Sequence, residues 1–223
     1  MLQPSTTIFS FVAFAFATLP WLNPLAPGPS PAVVPWLVSL AATSGLFLLA
    51  SARWRDAFRH TSFAKHWARP VAQAWLLAGL LSSVIGLLQY FGLTAAFEPL
   101  VNRTTWPGEA FANLRQRNQF ASLTNIALAA LIWWVATPSA AVPASGQIAP
   151  RSRWLVTFAA ALLAVGNAAS ASRTGALQLA LVCVLCVVWG LWRQPLVRRV
   201  LLVAVLAYGV AALALPLVAG FDL

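Results

Sequence analysis

The chain is dominated by long apolar runs that are continuous and do not alternate with polar positions. A hydrocarbon core of about 30 Å takes about 20 helical residues to cross. Because no water bonds the backbone there, spanning segments are helices or closed barrels, and continuous runs favour helices. The pattern predicts an all-α, polytopic transmembrane helical bundle, with about seven spans in a single domain over residues 1–223. Six of the predicted spans are 6–22, 32–50, 71–91, 154–169, 176–192 and 200–219. The fourth in order begins within or just after 113–120 and ends near 136.

Positive charge follows the loops between these runs. The chain has 14 Lys and Arg against four Asp and Glu, a formal net charge of +10, yet no soluble basic domain, so nucleic acid is not an expected partner. Loop 51–70 carries five basic residues and is predicted to be cytoplasmic, because Lys and Arg collect in cytoplasmic loops. Alternation of the spans then places ten Lys and Arg inside. Four remain outside, namely Arg103, Arg115, Arg117 and Arg173.

Two features that could indicate other chemistry or processing are interpreted as structural. Cys183 and Cys186 form a C-x-x-C inside an apolar run, without a second pair or a nearby histidine. We interpret them as small hydrophobic side chains and expect no metal or cofactor. Residues 1–22 lack a basic n-region, which favours a retained first span over a cleaved signal peptide.

The densest polar stretch, residues 113–119 (NLRQRNQ, the first patch), stands directly before the fourth apolar run. Ionisable groups at membrane depth are unfavourable and usually face a cavity, a partner or a substrate. If the helix begins near Asn113, Arg115 and Gln119 lie on one face, and Arg117 pairs with Asn113 on an adjacent face. Many fixed hydrogen-bond donors in one place predict an anion with several oxygens. The predicted ligand-binding residues of this patch are Asn113, Arg115, Arg117, Asn118 and Gln119.

A second patch, residues 170–175 (SASRTG), separates the fifth and sixth apolar runs. Ser172 is suited to cap a helix that begins at Arg173. The free N–H groups and positive dipole end of a helix start bind phosphate, and arginine adds a planar bidentate fork. Alternation puts both patches on the same side of the membrane. A lipid-linked pyrophosphate at the outer membrane–water boundary is therefore the predicted ligand class.

Both patches resemble known sequences. Residues 111–122 resemble the signature of bacterial O-oligosaccharyltransferases, the PglL type of protein glycosylation ligase. Residues 171–175 (ASRTG) resemble the Ser-Arg-x-Gly segment shared by O-antigen ligases (WaaL) and O-antigen polymerases (Wzy). The resemblance implies a metal-independent glycosyltransferase of the bacterial inner membrane, which moves a glycan from undecaprenyl pyrophosphate to a periplasmic acceptor. It implies that Arg173 holds the pyrophosphate leaving group and that the donor site is lined by Arg115, Arg117, Asn118 and Gln119.

The chain departs from that family in one respect. Members carry more spans and a large periplasmic loop with an essential histidine, whereas His60 and His66 fall in the predicted cytoplasmic loop. The chain is therefore interpreted as the N-terminal part of such an enzyme, inactive alone. A protein Ser or Thr hydroxyl is the favoured acceptor. The alternatives are an O-antigen ligase acting on lipid A core, an O-antigen polymerase, and a non-enzymatic protein that binds or transports anionic lipids.

Overall fold

The computed structural model describes residues 4–22, 37–46, 48, 63–98, 100–102, 108–114, 116–137 and 150–220. These residues form α-helices and short 3-10 turns and contain no strand, which confirms the predicted all-α bundle. Three of the described helices are long and apolar enough to cross a membrane: Ala68–Tyr90, Arg117–Ala136 and Pro195–Ala219. The helices are α1 Pro4–Leu22, α2 Leu37–Leu46, α3 Phe63–Tyr90, α4 Arg117–Ala136, α5 Pro150–Ala169, α6 Arg173–Val188 and α7 Pro195–Ala219. The 3-10 turns are Ala95–Phe97, Ala112–Leu114 and Leu191–Arg193.

Several helix limits differ from the predicted spans. Helix α3 begins at Phe63, inside the loop predicted for 51–70. Residues 51–62 of that loop, which include His60, lie outside the described residues, and so do residues 32–36 of the predicted second span. Helix α6 begins at Arg173, as predicted from the cap at Ser172, and so extends three residues before the predicted span, which starts at 176. Helix α7 begins at Pro195, because proline fits the first helical position, where its missing N–H would have no partner anyway.

Small residues allow the central helices to approach closely. Helices α3, α4 and α5 pack together, with α1 against α3, α7 against α5 and α6 against α4. A Cβ atom on Gly79 of α3 would lie 2.3 Å from the Cβ of Ala127 on α4, too close for any residue but glycine. A Cβ atom on Gly166 of α5 would likewise lie 2.7 Å from the Cβ of Ser83 on α3. Such contacts are typical of helices that associate within a membrane.

The apolar side chains divide into an interior core and an exposed surface. Leu128, Leu163 and Leu201 are fully buried between α4, α5 and α7, and Cys186 lies in the same core. Large apolar side chains on the outer faces of α6 and α7 are exposed, a distribution typical of helices that face lipid. They include Leu177, Leu181, Val188, Leu206, Leu213 and Val218.

One end of the bundle collects the elements that carry both patches, and we call it the patch end. The N–H of Gly108 donates to the carbonyl of Tyr90 at the end of α3, and the N–H of Ala110 donates to that of Ala169 at the end of α5, both at 3.1 Å. Ala219 at the end of α7 packs against the buried apolar cluster that includes Tyr90, Ala110 and Ala169. At the opposite end, the Arg199 guanidinium lies 5.2 Å from the centre of a Trp154 ring. The directions of α3, α5, α6 and α7 agree with the predicted alternation.

Candidate functional site

The first patch begins as a 3-10 turn and not as an α-helix. Ala112–Leu114 forms the turn, and α4 begins at Arg117 after the extended residue Gln116. Helix α4 therefore begins within 113–120, as predicted for the fourth span, but four residues after Asn113. The shared helical face of Arg115 and Gln119 stays a prediction. Arg115 itself lies outside the described residues. Ala112 has a φ of 50°, a left-handed conformation that is uncommon for residues other than glycine and that interrupts a helical path here.

Asn113 is buried and binds backbone groups of the protein itself. Its Nδ2 donates to the carbonyls of Leu22 and Leu100, both at 2.9 Å, and its Oδ1 accepts from the N–H of Asn102 at 3.0 Å. The carboxamide thus ties the end of α1 to the segment that follows α3. The expected pairing with Arg117 is not formed, since Arg117 pairs with Glu109. The geometry gives Asn113 a structural role behind the patch surface.

Gln89, near the end of α3, has a similar role and is not among the residues that the sequence predicts. It is fully buried, and its Nε2 donates to the carbonyls of Asn102 and Ala112 at 2.9 and 2.8 Å. Its Oε1 accepts from the N–H of Phe111 at 3.1 Å. The available signal was an amide within an apolar run, which also contains Gln73, because a buried amide there needs partners. Gln89 and Asn113 together hold the backbone that leads into the first patch.

The rest of the first patch is exposed at the patch end. Arg117, Asn118 and Gln119 form the first turn of α4 with their side chains open to the surroundings. Arg117 Nη1 lies 3.1 Å from Glu109 Oε1, and each side chain is about half exposed, at 50% and 52%. An exposed ion pair contributes about 0–1 kcal/mol. Glu109 therefore holds Arg117 only weakly, and an anion of higher charge is able to compete for it.

The second patch forms a tight turn and the start of α6. Ala171 has a φ of 49°, and Ser172 caps the helix by accepting from the N–H of Gly175 at 3.2 Å, which confirms the predicted cap. Arg173 is the first residue of α6 and is exposed. Within the part of the chain that the structure describes, it forms no hydrogen bond or ion pair. A helix start with a free guanidinium attracts oxyanions.

The two patches meet. The Ser172 hydroxyl donates to Oδ1 of Asn118 at 2.8 Å, so the cap of α6 is bonded to the first turn of α4. One turn deeper, Nε2 of Gln178 donates to the hydroxyl of Ser122 at 2.9 Å, again joining α6 to α4. The patches therefore lie together at one end of the bundle, as the alternation of spans predicts. The starts of α4 and α6, which carry Arg117 and Arg173, are therefore neighbours at the patch end.

Buried amides lie beneath this contact. Nδ2 of Asn125 on α4 donates to the carbonyl of Gly175 at 3.1 Å, and Nδ2 of Asn167 on α5 donates to the same carbonyl at 3.3 Å. The two amides also face each other, with Asn167 Nδ2 at 3.4 Å from Asn125 Oδ1. Sequence patterns did not single out either residue. The signal again was an isolated amide within each of two apolar runs.

Among the described residues of the patch end, one arginine has no carboxylate partner. Glu98 and Glu109 are the described carboxylates there, and Glu109 is paired with Arg117. Arg173 is left with its fork directed at no described carboxylate. Arginine forks and helix-start N–H groups bind phosphate oxygens through short, charge-assisted hydrogen bonds. The arrangement is suited to hold a phosphate or pyrophosphate, and to stabilise negative charge that develops on it.

One comparison with known proteins bears on this site. A family model described as Protein glycosylation ligase (PglL_A) matches residues 110–135. The match covers the first patch and nearly all of α4, and it ends before the second patch. No curated protein and no solved structure matches the chain. Fold and match together define a helical membrane protein with a segment that is similar to protein glycosylation ligases.

Proposed function

We propose that this chain acts in a membrane glycosyltransferase, which transfers a glycan from undecaprenyl pyrophosphate to a protein Ser or Thr hydroxyl in the bacterial periplasm. The observation that carries the proposal is the hydrogen bond between Ser172 and Asn118. It joins the segment that matches the ligase family to a second helix start, whose Arg173 has no ion-pair partner among the described residues. A multi-pass position in the inner membrane, with the patch end facing the periplasm, follows from the positive-inside distribution of the loops.

In this proposal the patch end binds the pyrophosphate of the donor. Transfer breaks the bond between the anomeric carbon and the pyrophosphate oxygen, which leaves with the bonding electrons. It forms a bond from that carbon to the acceptor oxygen, whose proton passes to water. Arg173 and the N–H groups at the start of α6 stabilise the charge that develops on the leaving pyrophosphate. Arg117, Asn118 and Gln119 bind the remaining donor oxygens, together with Arg115. Ser172 and Asn113 support the site from behind, since their polar atoms are already bonded.

The protein acceptor is favoured over lipid A core or a growing O-antigen chain because the matching family model is that of protein ligases. The second patch carries no information on the acceptor, since a Ser-Arg-x-Gly segment binds the donor pyrophosphate in all three reactions under this proposal. The acceptor is therefore decided by experiment and not by the donor site.

A transfer assay tests the proposal. The full-length product of the gene is reconstituted in liposomes with an undecaprenyl-pyrophosphate-linked glycan and a purified acceptor protein. Glycosylation of the acceptor is expected from the wild type and not from Arg173→Ala. Arg198→Ala is the matched control, because Arg198 is an exposed arginine at the start of α7, at the opposite end of the bundle.

The outcomes separate the candidate functions. Transfer to lipid A core and not to protein would favour an O-antigen ligase. Binding of the donor without any transfer would favour a non-enzymatic lipid-binding protein. Wild-type transfer by the Arg173→Ala variant would remove Arg173 from the mechanism. Arg117→Lys is expected to lower the rate as well, because a lysine lacks the planar fork, and an unchanged rate would reduce Arg117 to a surface charge.

A further inference from the structure

The first turn of α6 is held from three sides by polar side chains. Its Gly175 N–H is bonded by the Ser172 hydroxyl, and its Gly175 carbonyl accepts from both Asn125 and Asn167. The Ser172 hydroxyl in turn donates to Asn118. The N–H and the carbonyl of Gly175 are thus both bonded to side chains, and two of these side chains lie on neighbouring helices, Asn125 on α4 and Asn167 on α5. The start of α6 is attached to both neighbouring helices.

The buried side chains of Asn125 and Asn167 fill the interior less favourably than apolar side chains of similar size would. Asn125 and Asn167 are buried, at 5% and 2% exposure, in helices that are otherwise apolar. Asn167 Oδ1 has no hydrogen-bond partner among the described residues. A buried acceptor without a partner costs about 1–3 kcal/mol, a cost that an apolar side chain would avoid. Packing alone therefore does not account for the Asn167 side chain. The hydrogen bond from its Nδ2 to the Gly175 carbonyl indicates that it holds the start of α6.

The backbone at Gly175 is shaped to receive the amide. A Cβ atom there would lie 2.2 Å from Asn167 Oδ1, so only glycine allows the amide to reach the carbonyl of residue 175. Two residues earlier, Arg173 leaves the same turn and is exposed at the patch end. Any rotation of this turn would redirect the Arg173 fork and the free N–H groups beside it. The two amides therefore hold the first turn of α6, and the proposed site depends on the direction of that turn.

We propose that Asn125 and Asn167 are positioning residues of the pyrophosphate site. They fix the start of α6 so that Arg173 and the adjacent N–H groups converge on the same oxyanion. They touch the backbone of residue 175 and not the ligand. This assignment rests on the proposed function, in which the patch end binds a lipid-linked pyrophosphate.

Two measurements on the full chain in lipid nanodiscs test the assignment. The first is the affinity for undecaprenyl pyrophosphate, and the second is hydrogen exchange of the amides at 173–176. Asn167→Leu is the main variant, and Asn125→Ala serves if that protein does not fold. The matched control is Thr124→Val, which removes a buried hydroxyl bonded only to the Ala121 carbonyl of its own helix, at 2.7 Å.

Asn167→Leu is expected to weaken binding about tenfold, since misdirecting a charged hydrogen-bonding group has an effect of that size. Exchange at 173–176 is expected to accelerate. Thr124→Val is expected to change neither quantity. In an Arg173→Gln background, Asn167→Leu should cause a clearly smaller loss of affinity, because only its effect on the N–H groups at the start of α6 remains.

Each other outcome overturns the assignment in a distinguishable way. Unchanged exchange in Asn167→Leu would show that the amide does not hold the turn. Faster exchange with full affinity would leave it a purely structural role. An equal loss of affinity with and without Arg173 would mean that it does not act through that residue. If wild-type protein failed to bind undecaprenyl pyrophosphate, the proposed function would fall, and this assignment with it.

Discussion

Replacing Gly175 by alanine tests how tightly the start of α6 is fitted to its neighbours. The new Cβ would lie 2.2 Å from Asn167 Oδ1 and 2.7 Å from the Cβ of Ala121, distances that non-bonded atoms do not tolerate. The Ala121 Cβ is attached directly to the α4 backbone, and Asn167 is buried with its Nδ2 bonded. Neither atom can withdraw without moving a helix or breaking a hydrogen bond.

The magnitude follows from two opposing effects. Overpacking a close-packed interior costs about 1–3 kcal/mol, and two clashes place this site in the upper part of that range. Alanine is favoured over glycine inside a helix by about 1 kcal/mol. Gly175→Ala should therefore lower the free energy of unfolding by about 1–2 kcal/mol. Gly209 on α7 is the control, because a Cβ there meets no heavy atom within 4 Å.

Unfolding of the purified protein by SDS in mixed micelles, followed by far-UV circular dichroism, measures the difference. Gly209→Ala should be neutral or more stable than wild type by up to about 1 kcal/mol. Adding Asn167→Ala to Gly175→Ala should recover part of the loss, because one of the two clashes is removed. If Gly175→Ala were as stable as Gly209→Ala, the close contact of α6 with α4 and α5 would be refuted.

Three further predictions concern the patch end. Arg173→Gln should weaken binding of undecaprenyl pyrophosphate about 10- to 100-fold, with partial recovery in Arg173→Lys, and equal affinities in a nanodisc titration would contradict the assigned contact. Glu109→Gln should change stability by less than about 1 kcal/mol yet raise pyrophosphate affinity at low salt, because it releases Arg117, and a gain that persists at 1 M salt would speak against this electrostatic cause. Gln89→Leu should lower the free energy of unfolding by about 3 kcal/mol, since three backbone groups lose a buried partner. Ser82→Ala is its control, because that buried hydroxyl has no partner among the described residues, and equal losses in the two variants would refute the role of Gln89.

The architecture was predictable because it depends on patterns that are local in the sequence. Continuous apolar runs give helices wherever the backbone must satisfy its own hydrogen bonds, and the described helices follow those runs. The serine cap before Arg173 is a local signal as well, and the structure contains it. The proximity of the two patches followed from alternation of the spans alone.

The exact residue within 113–120 at which α4 begins was not predictable, because residues far away in the sequence decide it. Gln89 and Asn113 bind the backbone on either side of the turn at Ala112–Leu114, which delays the helix until Arg117. The sequence marks Asn113 as one more polar residue in a polar stretch. Only its burial shows that its hydrogen bonds are directed into the protein.

The buried amides show a second limit. Asn125 and Asn167 are separated by 42 positions and stand alone in their apolar runs, so no spacing or motif connects them. Their bonds to Gly175 depend on the packing of three helices, which the apolar pattern does not specify. A rule that every amide in an apolar run must find a partner would have identified both residues, but not the partner.

Photo-crosslinking tests whether both patches bind one pyrophosphate at the patch end. A photoreactive analogue of undecaprenyl pyrophosphate is irradiated with the full chain in nanodiscs, and the labelled peptides are mapped. We expect labelling at both 116–119 and 172–174, competed by unlabelled undecaprenyl pyrophosphate and lost in Arg173→Gln. Labelling at the arginines of 193–199 on the opposite end, or at one patch alone, would contradict it.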